Sequence, residues 1–376
     1  MEAPVSDPGF KTLPSPVIST SVTGKYIPAL DGLRGVAILL VISFHYFQKY
    51  THWVQLGWSG VDLFFVLSGY LITRRLIETN NLPNRYALFY RNRALRILPL
   101  YYLVVILIYA GFYLVVSPQN TPRFDFYLNN KASYLFFLQN WLFLYTRPPE
   151  GHLIHLWSLA IEEQFYLVWP LFLYTFYNSK YFKNILWGII IGVLVFRNIL
   201  YYFNNQPLYY FHTLCRIDAM VCGALIFFVS TSKKQTALIK WLGIAAALVI
   251  IAGVLFLRTP WPTAAFNTTI GYTAFAFLFA SVLCYTINSP GSMTATLLRN
   301  PVLRFIGKIS YGLYIFHYLV LKSCRKETGI ILRQLFHGSI KYLPEIICLL
   351  FSFTLSVVSY YCYESYFLKL KNRFPQ

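Results

Sequence analysis

Charge is scarce in this chain. Asp and Glu together number 13 in 376 residues, and all charged residues make up 12%. A soluble domain carries about 25%, so half that share cannot clothe a water-exposed surface. Cysteine is sparse too: of six, Cys215, Cys222, Cys284, Cys348 and Cys362 lie inside apolar segments, Cys324 lies outside them, and no Cys-x-x-Cys pair occurs. With no Cys beside a His at ligand spacing, no zinc or iron–sulfur site is expected, and the thiols read as small apolar packing groups. Residues 1–24, rich in Pro, Ser and Thr, contain no apolar core. No cleaved signal peptide is therefore expected, and this stretch reads as a disordered cytoplasmic tail.

What is abundant is apolar and aromatic: 57% hydrophobic and 19% aromatic residues, with a net charge of +19 from 32 Lys+Arg. So many aromatics exclude a disordered chain. The basic residues stand at the ends of long apolar runs, which excludes a soluble nucleic-acid binder. The composition describes a polytopic protein of the cell membrane, in contact with membrane lipids.

A membrane helix needs roughly 20 mostly apolar residues. Ten segments qualify, at approximately 32–48, 58–77, 98–117, 155–177, 185–203, 210–230, 238–257, 266–287, 305–323 and 343–363. The apolar piece 134–145 is too short and reads as interfacial or re-entrant. With the N-terminus cytoplasmic, 20 Lys/Arg fall inside, ten outside, and Arg197 and Arg216 within spans, in keeping with the positive-inside rule. The basic loop 322–341 runs against that bias. Were 134–145 to cross, every later loop would flip and the bias would vanish. The expected fold is an all-α bundle of about ten transmembrane helices with both termini cytoplasmic. Residues 25–366 form its membrane domain and 367–376 a basic cytoplasmic tail. No internal repeat is visible, and no loop is long enough for a soluble domain.

Ionisable groups within a bilayer are costly and mark candidate sites. Arg34 and His45 lie 11 residues apart in the first span, about three turns, so they share a face at roughly 16 Å. They read either as a charged anchor and an imidazole along one polar track, or as a snorkelling Arg and a His satisfied by backbone. The second span holds Asp62 and the small pair Ser68-Gly69, suited to close helix packing or to a narrow ligand passage. Arg93 and Arg96 share a face at i, i+3, ahead of Pro99, which opens the third span. Arginine forks suit phosphate oxygens, and anionic lipid headgroups fit them equally. In the fourth span His155, Ser158, Glu162 and Tyr166 form one stripe, while Glu163 points elsewhere. A structural ion pair of these carboxylates with Arg197 or Arg216 is the alternative. Arg216 and Asp218 read as a buried pair. Ser310, Tyr314 and His317 make a second stripe in the ninth span, with His317 also fitting a satisfied core histidine.

These residues taken together resemble a known family. Arg34-x10-His45, the DLFFVLSGY run, Arg93-x-x-Arg96-Ile97-x-Pro99, HLWSLAIEEQFY and ISYGLYIFH are similar, in order, to the motifs of the acyltransferase-3 family. These are membrane O-acyltransferases of bacterial surface polysaccharides, peptidoglycan, lipid-linked glycans and small molecules. The likeness runs from Tyr26 to about residue 320. One departure is Asn92-Arg93 where the family often has two consecutive arginines, with Arg91 displaced by one. Some members carry an extracytoplasmic hydrolase-like domain after the last span; this chain, ending at residue 376, is expected to lack one.

The resemblance implies transfer of an acyl group, commonly acetyl, from cytoplasmic acyl-CoA as co-substrate to an extracytoplasmic hydroxyl of a glycan, glycolipid or small molecule. Arg34, Arg93 and Arg96 are then the residues expected at the CoA phosphates. A sugar hydroxyl needs a base with a pKa near ambient, and histidine is the side chain that has one. His45 is the expected base, and Glu162 is expected either to orient it or to hold the acceptor. Asp62, Ser68, His155, Ser158, Glu163, Tyr166 and His317 are the expected acceptor-side residues. Direct transfer and an acyl-His intermediate both remain open. No metal and no nucleic acid are expected. A proton-coupled transporter using the His/Glu/Asp track is the competing class; it predicts repeats, and none is found.

Overall fold

In lipid, every backbone donor and acceptor needs a partner from the chain itself, which leaves helices for a sequence this apolar. The computed structural model describes residues 26–111, 114, 122–146, 151–204, 207–257, 260–336 and 342–371, and all regular structure in them is helical. The tail 1–24 lies outside the described residues.

Pro28, with φ preset and no N–H to leave unpaired, opens α1 (Pro28–Phe47), and a 3-10 stretch at His52–Ser59 leads into α2 (Gly60–Glu78) and α3 (Arg85–Gly111). Three short helices follow: α4 (Pro122–Asn129), α5 (Lys131–Leu135) and α6 (Gln139–Tyr145). Then come α7 (Trp157–Phe176), α8 (Phe182–Asn204), α9 (Ile217–Val229), α10 (Lys233–Leu257) and α11 (Tyr272–Asn288). The chain ends with α12 (Met293–Leu298), α13 (Pro301–Lys308), α14 (Ser310–Phe336), α15 (Leu343–Ser359), a π-helical turn at Tyr360–Glu364 and α16 (Ser365–Leu370).

Seven helical stretches among the described residues are long and apolar enough to cross a membrane. The spans expected at 155–177 and 210–230 contain α7 and α9, and that at 305–323 overlaps the first half of α14; all three helices fall short of that measure. α9 has 13 residues, α7 carries Glu162 and Glu163, and α14 carries Lys322, Arg325 and Lys326. In the 134–145 piece, Phe137 adopts a left-handed conformation (φ 55°) between α5 and α6. The seven residues of α6 reach about 10 Å, far short of a hydrocarbon core of about 30 Å. The break is pinned by polar contacts: Gln164 donates to the Phe137 carbonyl at 2.7 Å and to Asn140 Oδ1 at 2.8 Å.

Two expectations need correcting. The third span does not open at Pro99: α3 starts at Arg85 and carries Pro99 inside it, so Arg91, Arg93 and Arg96 ride on the same rigid helix. The expected Arg216–Asp218 pair is exchanged for two others. Arg216 Nη2 lies 2.7 Å from Asp62 Oδ1, and Arg197 Nη1 lies 2.9 Å from Asp218 Oδ2, all four side chains being fully buried. Thr273 donates to the same Asp218 oxygen at 2.7 Å and also accepts from Arg197. These pairs tie α2 to the start of α9, and α8 to α9 and α11. Residues 367–370 of the basic stretch lie in α16, which packs against α3.

The Ser68-Gly69 pair serves close helix packing. A Cβ on Gly69 would overlap the Met220 backbone of α9, and one on Gly223 of α9 would overlap the Val66 backbone of α2, so the two helices touch backbone to backbone, as small residues allow. The hydroxyl of Ser68 points the other way, to Glu162 at 3.0 Å.

Candidate functional site

α1 carries Arg34 near one end and His45 near the other, and a cavity opens at each. A chamber of about 1150 Å³ is lined by His45, Trp58, His155, Trp157, Tyr210 and Tyr318, among others. A narrow throat of about 90 Å³ is lined by Arg34, Ser68, Arg93, Arg96, Glu162 and Tyr166. Val61 and Tyr314 line both. Along the polar track expected on α1 lie two cavities that share Val61 and Tyr314, with Tyr314 at the waist between them. Tyr314 is fixed there by two hydrogen bonds, one to the His155 carbonyl at 2.5 Å and one with Ser158 Oγ at 2.5 Å.

Three histidines meet beside the waist. The ring centroids of His45 and His317 are 5.0 Å apart, those of His155 and His317 5.3 Å, and Tyr318 lies 5.1 Å from His45. The partners set the tautomers. His45 Nδ1 is 2.9 Å from the Val41 carbonyl, so that nitrogen holds the proton. His317 Nδ1 likewise faces the Tyr314 carbonyl at 2.7 Å. His317 Nε2 is then left as an acceptor, 3.4 Å from His45 Nδ1. The free lone pair of His45 is on Nε2, in a ring that lines the chamber. His317 is fully buried and lines neither cavity; it backs His45 rather than facing a ligand. His155 lines the chamber with Nε2 held 3.1 Å from the Ile315 carbonyl.

Glu162 does not reach His45. Its Oε1 accepts from Ser68 at 3.0 Å and its Oε2 from Tyr166 at 2.8 Å, and it lines the throat with the arginines. The histidine-orienting contact expected of it belongs to His317. Arg93 stands over the Tyr166 ring at 5.2 Å, so Ser68, Glu162, Tyr166 and Arg93 form one connected group at the Arg34 end. Arg34 itself is braced by Asp31 at 3.0 Å. Asp62, held by Arg216, lines neither cavity, and neither does Glu163, whose buried Oε1 has no partner.

Below the throat lies a third cavity of about 270 Å³, a basic cup lined by Arg75, Arg93, Arg96 and Lys371. Arg93 and Arg96 line both cup and throat. Arg75 and Lys371 were not singled out in the sequence. Nothing in their local pattern separates them from ordinary interfacial cations, since only the docking of α16 on α3 brings Lys371 there. Tyr318 was missed because its one-residue step beyond His317 leaves the polar stripe.

Residues 27–362 match a family described as an acyltransferase domain. The chain belongs to the acyltransferase-3 family. It is similar to the peptidoglycan O-acetyltransferase OatA of Listeria monocytogenes, 32% identical over 326 residues, covering 81% of this chain and 50% of the relative. A Staphylococcus aureus (strain COL) protein named "Putative O-acetyltransferase" is 30% identical over 79% of this chain and 51% of its own length. The Bacillus subtilis protein named "Putative peptidoglycan O-acetyltransferase YrhL" is 30% identical over 81% of this chain and 50% of its own. This chain thus spans about half the length of the curated relatives it matches. No solved structure matches. The transporter reading gains no support from any of these likenesses.

Proposed function

We propose that this protein is a membrane O-acetyltransferase that takes acetyl from acetyl-CoA at the Arg34 end and delivers it to a glycan hydroxyl at the His45 end. The carrying observation is a pair of cavities that share Val61 and Tyr314, one lined by Arg34, Arg93 and Arg96 and the other by His45, whose Nδ1 faces the Val41 carbonyl and leaves Nε2 as the acceptor. CoA is a polyanion on a long thin arm, which suits an arginine-lined mouth opening into a narrow throat. Aromatic walls such as Trp58, Trp157, Tyr210 and Tyr318 offer flat faces to sugar rings, and the similar proteins are named for peptidoglycan O-acetylation.

In this reading the thioester carbonyl lies at the waist. The acceptor hydroxyl gives its proton to His45 Nε2 as its oxygen bonds to the carbonyl carbon. Collapse of the tetrahedral intermediate breaks the C–S bond, and the imidazolium returns the proton to the departing CoA thiolate. His317 and the Val41 carbonyl hold the ring so that Nε2, rather than Nδ1, faces the acceptor. Glu162, clasped by Ser68 and Tyr166, keeps the arginines of the throat in place. The Arg34 end faces the cytoplasm, with ten spans and both termini inside; reporter fusions after Asn178 and after Thr231 should then both read cytoplasmic.

The test is transfer of labelled acetyl from acetyl-CoA by the purified protein, to water or to a glycan acceptor. His45→Gln keeps a hydrogen-bonding side chain but cannot take a proton. Near-normal transfer by that variant would remove His45 from the chemistry and, with it, the proposed mechanism.

A further inference from the structure

The basic cup holds more positive charge than the throat chemistry requires. Arg75 comes from α2, Arg93 and Arg96 from α3, and Lys371 from the residue just past α16, so three separate parts of the chain converge on about 270 Å³. Among the described residues no acid lines it. Glu78, held by Arg74 at 2.8 Å, stands 3.8 Å from Arg75, while Glu162 and Glu163 act on Arg93, and Glu364 on Arg96, from outside the cup. Lys371 lies past the last span. Its ammonium is held down to about 7 by burial and by the like charges of Arg96, Arg93, Arg75 and Arg34. Crowding four cations around one small volume is unfavourable unless an anion with several oxygens is drawn into it.

The other wall is neutral and suited to a base. Phe89 lines the cup, with the Arg93 guanidinium 5.9 Å from its ring. Asn92 adds a buried side-chain oxygen with no hydrogen-bond partner, an acceptor for an exocyclic amino group. The cup and the throat share Arg93 and Arg96, so an anionic head seated in one continues into the other along a thin arm.

We infer that the cup is the seat of the adenosine 3′-phosphate of CoA, with Lys371 and Arg75 as its phosphate ligands and the C-terminal helix α16 as part of the donor site. The inference rests on the acetyl-CoA reading and deepens it. The pyrophosphate then lies at the Arg93–Arg96 border and the pantetheine arm fills the throat toward Tyr314. Residues 367–371, which the sequence offers only as a basic tail, become a wall of the binding site. An anionic lipid headgroup presents the same phosphate chemistry at the same depth, and the test must separate the two.

The experiment compares binding of CoA and 3′-dephospho-CoA to the full-length protein in phosphatidylcholine discs, by calorimetry. Wild type should bind CoA about tenfold tighter than dephospho-CoA, the scale of one or two charge-assisted hydrogen bonds. Lys371→Gln and Arg75→Gln should each weaken CoA several-fold while leaving dephospho-CoA unchanged, so the preference collapses. Lys371→Arg should retain most of it, and dephospho-CoA binding serves as the control that each variant is folded. Equal binding of the two nucleotides by wild type overturns the inference, and so does a preference that survives both Gln variants. A wild type that binds neither nucleotide overturns the acetyl-CoA reading itself, which is a different result. Should phosphatidylglycerol in the discs compete with CoA in wild type but not in Lys371→Gln, while no 3′-phosphate preference exists in phosphatidylcholine, the cup is a lipid-headgroup site instead.

Discussion

At the Arg34 end, cavities of about 90 and 270 Å³ are lined by guanidinium groups from α1, α2 and α3; at the His45 end, one chamber of about 1150 Å³ is walled mainly by aromatic rings. The first suits one invariant, highly charged ligand read by directed hydrogen bonds. The second suits a bulky ligand read by shape and stacking, and its rim can change without touching the donor. On the proposed reading, donor and acceptor are recognised by different residues, so one side can vary while the other stays fixed.

The largest effects should come from crossing the two ends. His45→Gln should lower kcat for transfer by about 10²–10⁴-fold, the usual worth of general-base catalysis, and leave CoA affinity unchanged. Arg34→Ala should do the reverse, weakening CoA about tenfold with little change in kcat at saturation, and Arg34→Lys should rescue only part because it lacks the fork. Steady-state transfer kinetics together with CoA binding would show the split. If His45→Gln weakened CoA as much as Arg34→Ala does, the two ends would not be separate sites.

Next in size is a change that should spare both ends. Asp62 was expected among acceptor ligands, yet it is fully buried against Arg216. Asp62→Asn leaves Arg216 without its counter-charge and should cost about 3–5 kcal/mol of stability, read as a fall in the unfolding midpoint in detergent. The fraction that stays folded should bind CoA normally. A variant of normal stability with selective loss of acceptor transfer would return Asp62 to the site.

His317 offers a smaller and finer test. His317→Phe removes the acceptor facing His45 Nδ1 while filling the space. Loss of that brace should reduce kcat by about ten- to a hundredfold, the cost of a small misplacement of a reacting group, with acceptor KM and CoA affinity unchanged. An unaltered kcat would mean that the Val41 carbonyl alone suffices to hold the ring.

Much of this was legible in the sequence, for identifiable reasons. Helical content followed from apolar run length, and the shared face of Arg34 and His45 from the 3.6-residue period, because both are local properties. Pairings across helices were not local. Spacing along the chain pairs Arg216 with Asp218, and only the packing of α2 on α9 gives it Asp62 instead. Glu162 and His155 share a stripe, but the waist at Tyr314 puts Glu162 in the throat and His155 in the chamber. Pro99 was read as a helix start because a proline usually breaks a helix. In the bundle α3 is tied to its neighbours on both sides of the proline: Tyr311 donates to the Ile97 carbonyl at 2.6 Å and Tyr363 to that of Pro99 at 3.2 Å.

The smallest expected effect is also the most diagnostic of the charged end. Lys371 is held at about 7 by burial and by Arg96, Arg93, Arg75 and Arg34, well below an ordinary lysine near 10.4. Above neutral pH the free protein therefore carries it largely unprotonated. A bound phosphate favours the ammonium, so its pKa rises in the complex, and CoA binding takes up a proton. The sign follows: affinity is greatest at or below about pH 7 and falls as pH rises from there. The 3′-phosphate, with a second pKa near 6, is already dianionic, and the surrounding guanidinium groups keep their charge throughout. Between about pH 7 and pH 8.5 the CoA dissociation constant should rise about fivefold. The heat of binding should also differ between buffers of different ionisation enthalpy. Lys371→Gln should flatten the pH dependence and abolish the proton uptake, and dephospho-CoA should show little of either. A pH profile for CoA that is equally steep in wild type and Lys371→Gln would place the titrating group elsewhere and remove Lys371 from the ligands of the charged end.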